Sequence, residues 1–502
     1  MPITGMILDV AARHPDRPAI VGSDGRLTYA QLVDDSRRMF AAVDDLHRGQ
    51  TVPPRPAAET GGIPITAVSV TSAFHTARIV AGLAGYRAVS ATIDPRWPLA
   101  HQVRVILACG IGVVISDSDE LHTALIDAGW TGTILPLVEF MRREAYARPR
   151  SAPRVRSSRE AFLLLFSSGT TSHPKAFLKT RGQYRANYAI SSAHLEPLAG
   201  VATLAPGPVS YSLTLYAVIE CLASGGGVHL ADSFDPLSVA ARMRDERISR
   251  VVAVPAVVQS LADAARRDPR AFAGLRLVVT GGANLSSVLR DSLGQVLPDV
   301  RLISYYGAAE IGFIGDSRGG DGTLISVYDG VEVAIRDETG ATVPDGDLGT
   351  LWVRAEACSD GYLAATTRET LRQPDGWATV HDQGRIVGGR LTLVGRAGDI
   401  AVTGGHKVSL QDVDRAFEGM PQLGAVSAVT LPHPRLGTVV ALVIEGAAPP
   451  KAHLQAWARE RLAPQFVPRR WYTLQALPRT VGGKIRRGET AELVTRGEAV
   501  RL

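Results

Sequence analysis

The sequence predicts an α/β protein: a large N-terminal domain of α/β layers with an antiparallel β subdomain, followed by a small α+β C-terminal domain. Three observations carry this. Short apolar strands alternate with helical periodicities from Ala30 to Tyr305, the signature of parallel sheets covered by helices. Around Val331–Arg336 and Leu348–Arg354 the pattern changes to short strands between Gly/Asp turns, which reads as antiparallel. The chain has 502 residues, too many for one ordinary domain.

The elements follow in order. Ala30–Ala42 has helical periodicity, Ile65–Val70 is strand-like, Thr76–Leu83 is helical, and Ala88–Ile93 and Gly112–Ile115 are short apolar strands. The rhythm resumes with the strand Arg250–Val254, the helix Ala256–Ala265, the strand Leu275–Thr280, the helix Ser286–Val296 and the strand Arg301–Tyr305. After a polar, glycine-containing stretch at Gly395–Asp399 come a hairpin-like turn over Thr403–Lys407, a helix over Leu410–Phe417, strands at Val426–Thr430 and Val439–Ile444, and a helix over Ala452–Leu462. The expected domains are 1–397 and 398–502.

Composition excludes several classes. Hydrophobic residues make up 45% and charged residues 21%, as expected of a soluble globular protein. The longest apolar runs are strand-length, well short of the ~20 residues of a membrane span. Met1 to Asp9 lacks a basic start, so no signal peptide is expected. Cys109, Cys221 and Cys358 are odd in number and far apart, which argues against a disulfide framework or zinc site. A cytoplasmic location is the expectation. The net charge is +5, yet residues 451–502 hold eleven Lys/Arg against four Asp/Glu. This basic segment suits an anionic partner such as a nucleotide, coenzyme A or an acidic carrier protein. Aromatics do not interleave with it as nucleic-acid binding would require.

The strongest local signal runs from Leu165 to Lys175. An apolar strand enters a loop of Ser167, Ser168, Gly169, Thr170 and Thr171, and the loop closes on Lys175. Small residues let backbone N–H groups approach an anion, hydroxyls add donors, and lysine adds charge, as a triphosphate requires. The spacing is not that of the Gly-x4-Gly-Lys-Ser/Thr loop. Asp94–Pro98, Thr280–Ala283, Tyr305–Glu310, Gly349–Leu363, Asp382, Gly395-Arg396 and Leu477–Lys484 follow as further polar or glycine-bearing segments.

Together with the loop, these seven segments resemble, in order, the motifs of the adenylate-forming superfamily: acyl-CoA synthetases, aryl-CoA ligases, luciferases and nonribosomal-peptide adenylation domains. The resemblance implies an acid–thiol ligase. Such an enzyme uses ATP and Mg²⁺ to convert a carboxylic acid to an acyl-adenylate, then transfers it to the thiol of coenzyme A or of carrier-bound phosphopantetheine. It implies nucleotide contacts from Ser167, Ser168, Gly169, Thr170, Thr171, Lys175, Gly281, Gly282, Ala283, Tyr305, Tyr306, Gly307, Ala308, Asp382 and Arg396. Tyr306 would stack on adenine, Asp382 would accept the ribose hydroxyls, and Glu310 with Thr170 would hold the metal. Lys484 would be the principal catalytic residue, reaching both the carboxylate and the α-phosphate, with Glu310 beside it in the catalytic set. In the family the small domain is mobile; Gly398 falls at its hinge, and Gly405 in the loop lining the thiol tunnel.

The sequence departs from the family pattern at several points. Ala309 replaces a hydroxyl residue before Glu310, a loss worth ~1–3 kcal/mol if that donor is needed. Ser172 and Ala176 replace glycines, His381 replaces the glycine before Asp382, and Gly398 stands where Asp or Lys is usual.

For the acid pocket the expected residues are Tyr211, Ser212 and Leu215. Ser212 stands where amino-acid adenylation domains carry an aspartate, so a buried α-ammonium would lack its counter-charge. A fatty acid is therefore preferred, with a stand-alone aryl- or amino-acid adenylating enzyme as the alternative. A catalytically degenerate nucleotide-binding protein is the alternative of another class. A luciferase-type oxygenase would share the adenylation step. An acyl carrier protein would act in trans.

Overall fold

The computed structural model describes every residue except 1, 168–173, 283–284, 321, 404–405, 434–436, 463 and 481–482, and the side chains of 2, 396–397, 402, 406–407, 437 and 465 also lie outside the described set. Every element expected from periodicity is present within a few residues. The helix expected over Ala30–Ala42 runs Tyr29–Arg48, because Thr28 caps it with its own hydroxyl and Gln31 reciprocates in a capping box. Helices also cover Pro2–Arg13, Leu99–Cys109 and Leu137–Tyr146, beyond those expected from the sequence.

Three sheets organise the described residues. The first has six strands in the spatial order Thr133–Leu135, Val113–Ser116, Ile65–Ser69, Val89–Thr92, Ala161–Phe166 and Ala176–Thr180. The first five are parallel, and the last returns antiparallel to Ala161–Phe166. The second is a 13-stranded sheet. Its parallel middle includes Ala202–Ala205, Arg250–Ala253, Leu277–Thr280 and Arg301–Ala308. At Arg301–Ala308 the direction reverses: Gly312–Ser317 pairs antiparallel to it, and the rest of that flank, including Glu332–Arg336, Gly349–Arg354, Asp382–Val387 and Arg390–Arg396, is antiparallel. The change of pattern read near Val331 is this flank.

The third sheet is built from residues 400–501 and carries its own apolar core around Leu410, Val413, Leu442, Leu454 and Trp471. Its helices, Leu410–Ala416, Lys451–Arg461 and Arg487–Thr495, complete a small α+β unit. The architecture is thus the predicted one, a large α/β N-terminal part and a small α+β C-terminal part. Among the described residues no helix is long and apolar enough to cross a membrane.

Candidate active site

Two reversals of chain direction meet at the site. One is the hairpin between Ala161–Phe166 and Ala176–Thr180, whose connection is the Ser/Thr loop. The other is the turn between Arg301–Ala308 and Gly312–Ser317, which carries Ala309 and Glu310. Ser168, Gly169, Thr170, Thr171, Ala283 and Gly405 lie outside the described residues, as does the side chain of Arg396. The base of the loop is described. The Ser167 N–H donates to the Lys175 carbonyl at 2.8 Å, and the Lys175 N–H donates to Ser167 Oγ at 3.3 Å. The Lys175 ammonium donates to Glu369 and lies 5.4 Å from the centre of the Tyr362 ring.

The strand Arg301–Ala308 presents Tyr305, Tyr306, Gly307 and Ala308. Glycine is required at Gly307, because an added Cβ would sit 2.4 Å from the Gly312 carbonyl oxygen. The Tyr306 phenol donates to Asp382 Oδ2 at 2.6 Å, so the expected adenine and ribose residues stand side by side. Asp382 lies opposite Arg396 in the antiparallel register, which brings the backbone of a third expected residue to the same place. Tyr305 turns the other way. Its ring packs on Phe313 at 4.8 Å, and a Cβ at Gly281 would fall 2.3 Å from its Cζ. Burial pushes its phenol up. Gly282 holds a φ of 78°, which suits glycine at the end of the strand Leu277–Thr280.

Glu310 is 7% exposed, and its Oε1 accepts from the Tyr362 hydroxyl at 3.1 Å. Its carbonyl accepts from the Lys179 ammonium at 2.7 Å and from the Ser359 N–H at 2.8 Å. Lys179 also donates to the Ala357 carbonyl at 2.7 Å, and burial pushes its pKa down to about 8. A carboxylate in this setting is a hard oxygen donor suited to Mg²⁺. Among the described residues no group of three or more His, Cys, Asp or Glu is placed to hold a metal. That donor set fits an ion shared with nucleotide phosphates and water rather than an all-protein cage.

The expected pocket residues lie around the start of the helix Ser212–Ser224. Tyr211 precedes its first turn. Burial, with Asp94 nearby, pushes the Tyr211 phenol up to about 12. Asp94 is 1% exposed; it takes two hydrogen bonds from the Arg96 guanidinium, at 2.9 and 2.7 Å, and one from Ser210 Oγ at 3.4 Å. Ser212 is exposed, and Leu215 is fully buried in the large apolar core.

Lys484 is exposed in a loop of the third sheet. Its N–H donates to Thr480 Oγ1 at 3.1 Å, and its carbonyl accepts from the Thr480 N–H at 2.7 Å. Arg479 anchors that loop to Glu445 through two bonds, at 2.5 and 2.7 Å. These contacts belong to the small domain and do not reach Glu310. Gly398 sits exposed in a 3-10 turn with open space around it. Asp399 beside it accepts from Arg487 Nε at 2.8 Å.

Lys179 and Glu369 lie outside every segment that stands out in the sequence, while Tyr362 and Asp399 fall within Gly349–Leu363 and Gly395–Asp399 without an expected role of their own. For Lys179 a signal existed: a lysine inside the strand Ala176–Thr180, directly after the apolar run Ala176–Leu178 and two residues beyond the buried Phe177.

Comparison with known proteins decides the family. The family model described as AMP-binding enzyme matches residues 66–363, more than half of the chain. The chain belongs to the AMP-binding enzyme family. It is an adenylate-forming enzyme, and its family activates carboxylic acids with ATP. This AMP-binding enzyme is 25% identical to an uncharacterized acyl-CoA ligase, YhfT, of Bacillus subtilis, over 97% of both chains. It is 27% identical to a salicylyl-CoA synthase / salicylate adenylyltransferase of a Streptomyces species, over 99% of this chain and 94% of that one. Its fold matches the crystal structure of ATP-bound MatB from Rhodopseudomonas palustris with a TM-score of 0.85 at 20% identity, covering 97% of this chain and 98% of that one.

Proposed function

We propose that this AMP-binding enzyme converts a carboxylic acid to its acyl-adenylate and passes the acyl group to a pantetheine thiol, of coenzyme A or of a carrier protein in trans. The observation that carries this reading is the hydrogen bond from Tyr306 to Asp382, 2.6 Å long, with Tyr306 on the strand that runs into the turn presenting Glu310. It pairs an aromatic face suited to adenine with a carboxylate suited to ribose, close in the chain to a carboxylate suited to Mg²⁺. In this reading Tyr306, with Gly281, Gly282, Ala283, Gly307 and Ala308, receives adenine, while Asp382 and Arg396 receive ribose. Ser167, Ser168, Gly169, Thr170, Thr171 and Lys175 cradle the phosphates. Mg²⁺, held by Glu310 and Thr170 with the phosphates, would offset charge on the departing pyrophosphate.

Lys484 brings the acid carboxylate to the α-phosphorus. The carboxylate oxygen bonds to that phosphorus as the bond to pyrophosphate breaks, and the ammonium offsets the charge developing between them. The small domain, taken to begin near Gly398, then turns to open the thiol path lined by Gly405. The thiolate attacks the acyl carbon, and AMP leaves.

For the acid, the apolar surroundings first suggest a fatty chain. We propose a compact aryl acid instead. The likeness to the salicylyl-CoA synthase supports the same choice. Product analysis after incubation with ATP, acid and either coenzyme A or holo carrier protein tests the whole reading. An acyl thioester and AMP are expected, with aryl acids ahead of long fatty acids. A faster reaction with long fatty acids would reverse the choice of acid. Gly405→Leu is expected to keep adenylate formation and lose thioester formation; thioester made at the unaltered rate would remove Gly405 from the thiol path.

A further inference from the structure

Lys179 is a buried cation that the adenylation chemistry leaves unused. It is 3% exposed on the strand Ala176–Thr180, where a leucine or methionine would be the cheaper residue. Taking an ammonium out of water costs several kcal/mol unless its surroundings repay it, which makes stability alone a poor reason for its presence. Its two hydrogen-bond acceptors are the carbonyls of Glu310 and Ala357, each at 2.7 Å. The groups around it are the Glu310 and Asp360 carboxylates and the Cys358 thiol.

The same two segments are tied to this strand at other points. The Ser359 N–H also donates to the Glu310 carbonyl, and Ser359 Oγ donates to the Leu178 carbonyl, both at 2.8 Å. Phe177, two residues before Lys179, forms a β-bridge with Tyr362, whose hydroxyl donates to the Glu310 carboxylate at 3.1 Å. The backbone of Glu310 is therefore fixed by Lys179 and its side chain by Tyr362, both anchored on the strand that leaves the phosphate loop.

We infer that Lys179 is a positioning residue for Glu310, clamping the turn so that the carboxylate is presented to the nucleotide-bound metal. This rests on Glu310 acting at that metal. Without the ammonium, the Ala357 carbonyl loses its donor, and the Glu310 carbonyl is left with the Ser359 N–H. The turn can then shift, and metal affinity falls while the adenosine contacts persist, because Tyr306 sits before the turn, held in the ladder opposite Gly315 and by Asp382.

The test measures Mn²⁺ binding in the presence of a non-hydrolysable ATP analogue by electron paramagnetic resonance, and AMP binding by calorimetry. Lys179→Met is expected to melt no lower than the unaltered protein, to weaken Mn²⁺ binding about tenfold, and to leave AMP binding within about twofold. Unchanged Mn²⁺ affinity, or an equal fall in Mn²⁺ and AMP binding, overturns the inference. Should Lys179→Met fail to fold, Lys179→Gln serves in its place: its amide is one atom short of spanning both carbonyls, and loss or retention of Mn²⁺ affinity reads the same way. Glu310→Gln separates the two levels. If it leaves Mn²⁺ binding unchanged, the metal reading of Glu310 fails. If it weakens binding and Lys179→Met does not, only the clamp fails.

Discussion

His381 shows how a departure from pattern translates into local physics. Its φ is 65°, a left-handed conformation that glycine adopts freely and a side-chain-bearing residue adopts at a cost of about 1–2 kcal/mol. The glycine expected before Asp382 is thus a backbone requirement, and the histidine meets it under strain, with its N–H donating to Thr379 Oγ1 at 3.0 Å. His381→Gly is expected to raise the unfolding free energy by roughly 0.5–1 kcal/mol in urea titration, with nucleotide affinity unchanged or improved; a destabilised variant would show that the imidazole contributes more than the strain costs.

A second residue gives a pH signature. His47 is largely buried, bonds Thr66 Oγ1 at 3.0 Å, and burial lowers its pKa from 6.5 to about 4. The unfolded chain therefore binds a proton that the folded chain refuses between these values. Its contribution to stability is complete above about pH 6.5 and is lost as pH falls toward 4. Urea midpoints should drop across this window, and His47→Gln should flatten the drop. An identical slope in the variant would assign it to other groups.

At the scale of elements, the catalytic pieces are held by hairpins whose existence, but not whose mutual contact, was legible. The run into Ser167 reads as a strand and a phosphate loop from residue types alone. That its return strand would carry Lys179 into contact with Glu310, 131 positions away, follows only from the pairing of two sheets. The same limit applied at the small domain. Arg487 carries no pattern of its own in the sequence, yet it bonds Asp399 at 2.8 Å and Asp414 at 2.9 Å, joining the helix after Lys484 to the segment beside Gly398. Burial raises Asp414 to about 6 in spite of this partner. Arg487→Ala leaves two carboxylates without their cation, and breaking these half-buried charge-assisted bonds costs about 1–3 kcal/mol. The small domain should melt earlier than the rest by calorimetry, and the transfer rate should fall with it. A single unshifted transition would show the clamp to be dispensable.

Across the whole molecule, the periodicities of strand and helix were sufficient for the layer architecture. Parallel strands buried on both faces read as continuous apolar runs, and the antiparallel flank announced itself by its turns. Strand order could not be read, because the 13-stranded sheet joins Ala202–Ala205 to Gly227–Leu230 and Arg250–Ala253 through contacts that no local pattern encodes. The acid pocket was least legible for the same reason. Tyr211 was expected to face the acid, but its orientation toward Asp94 and the packing of Tyr305 on Gly281 depend on which loops meet.

The central claim is acid activation through an adenylate with Lys484 as its principal catalytic residue. Exchange of labelled pyrophosphate into ATP, measured over a panel of aryl, fatty and amino acids, tests it most directly. The account predicts exchange that depends on an aryl or fatty acid and falls ~100-fold or more in Lys484→Ala, while that variant still binds ATP. Exchange with no acid in the panel, or undiminished exchange in Lys484→Ala, would contradict it.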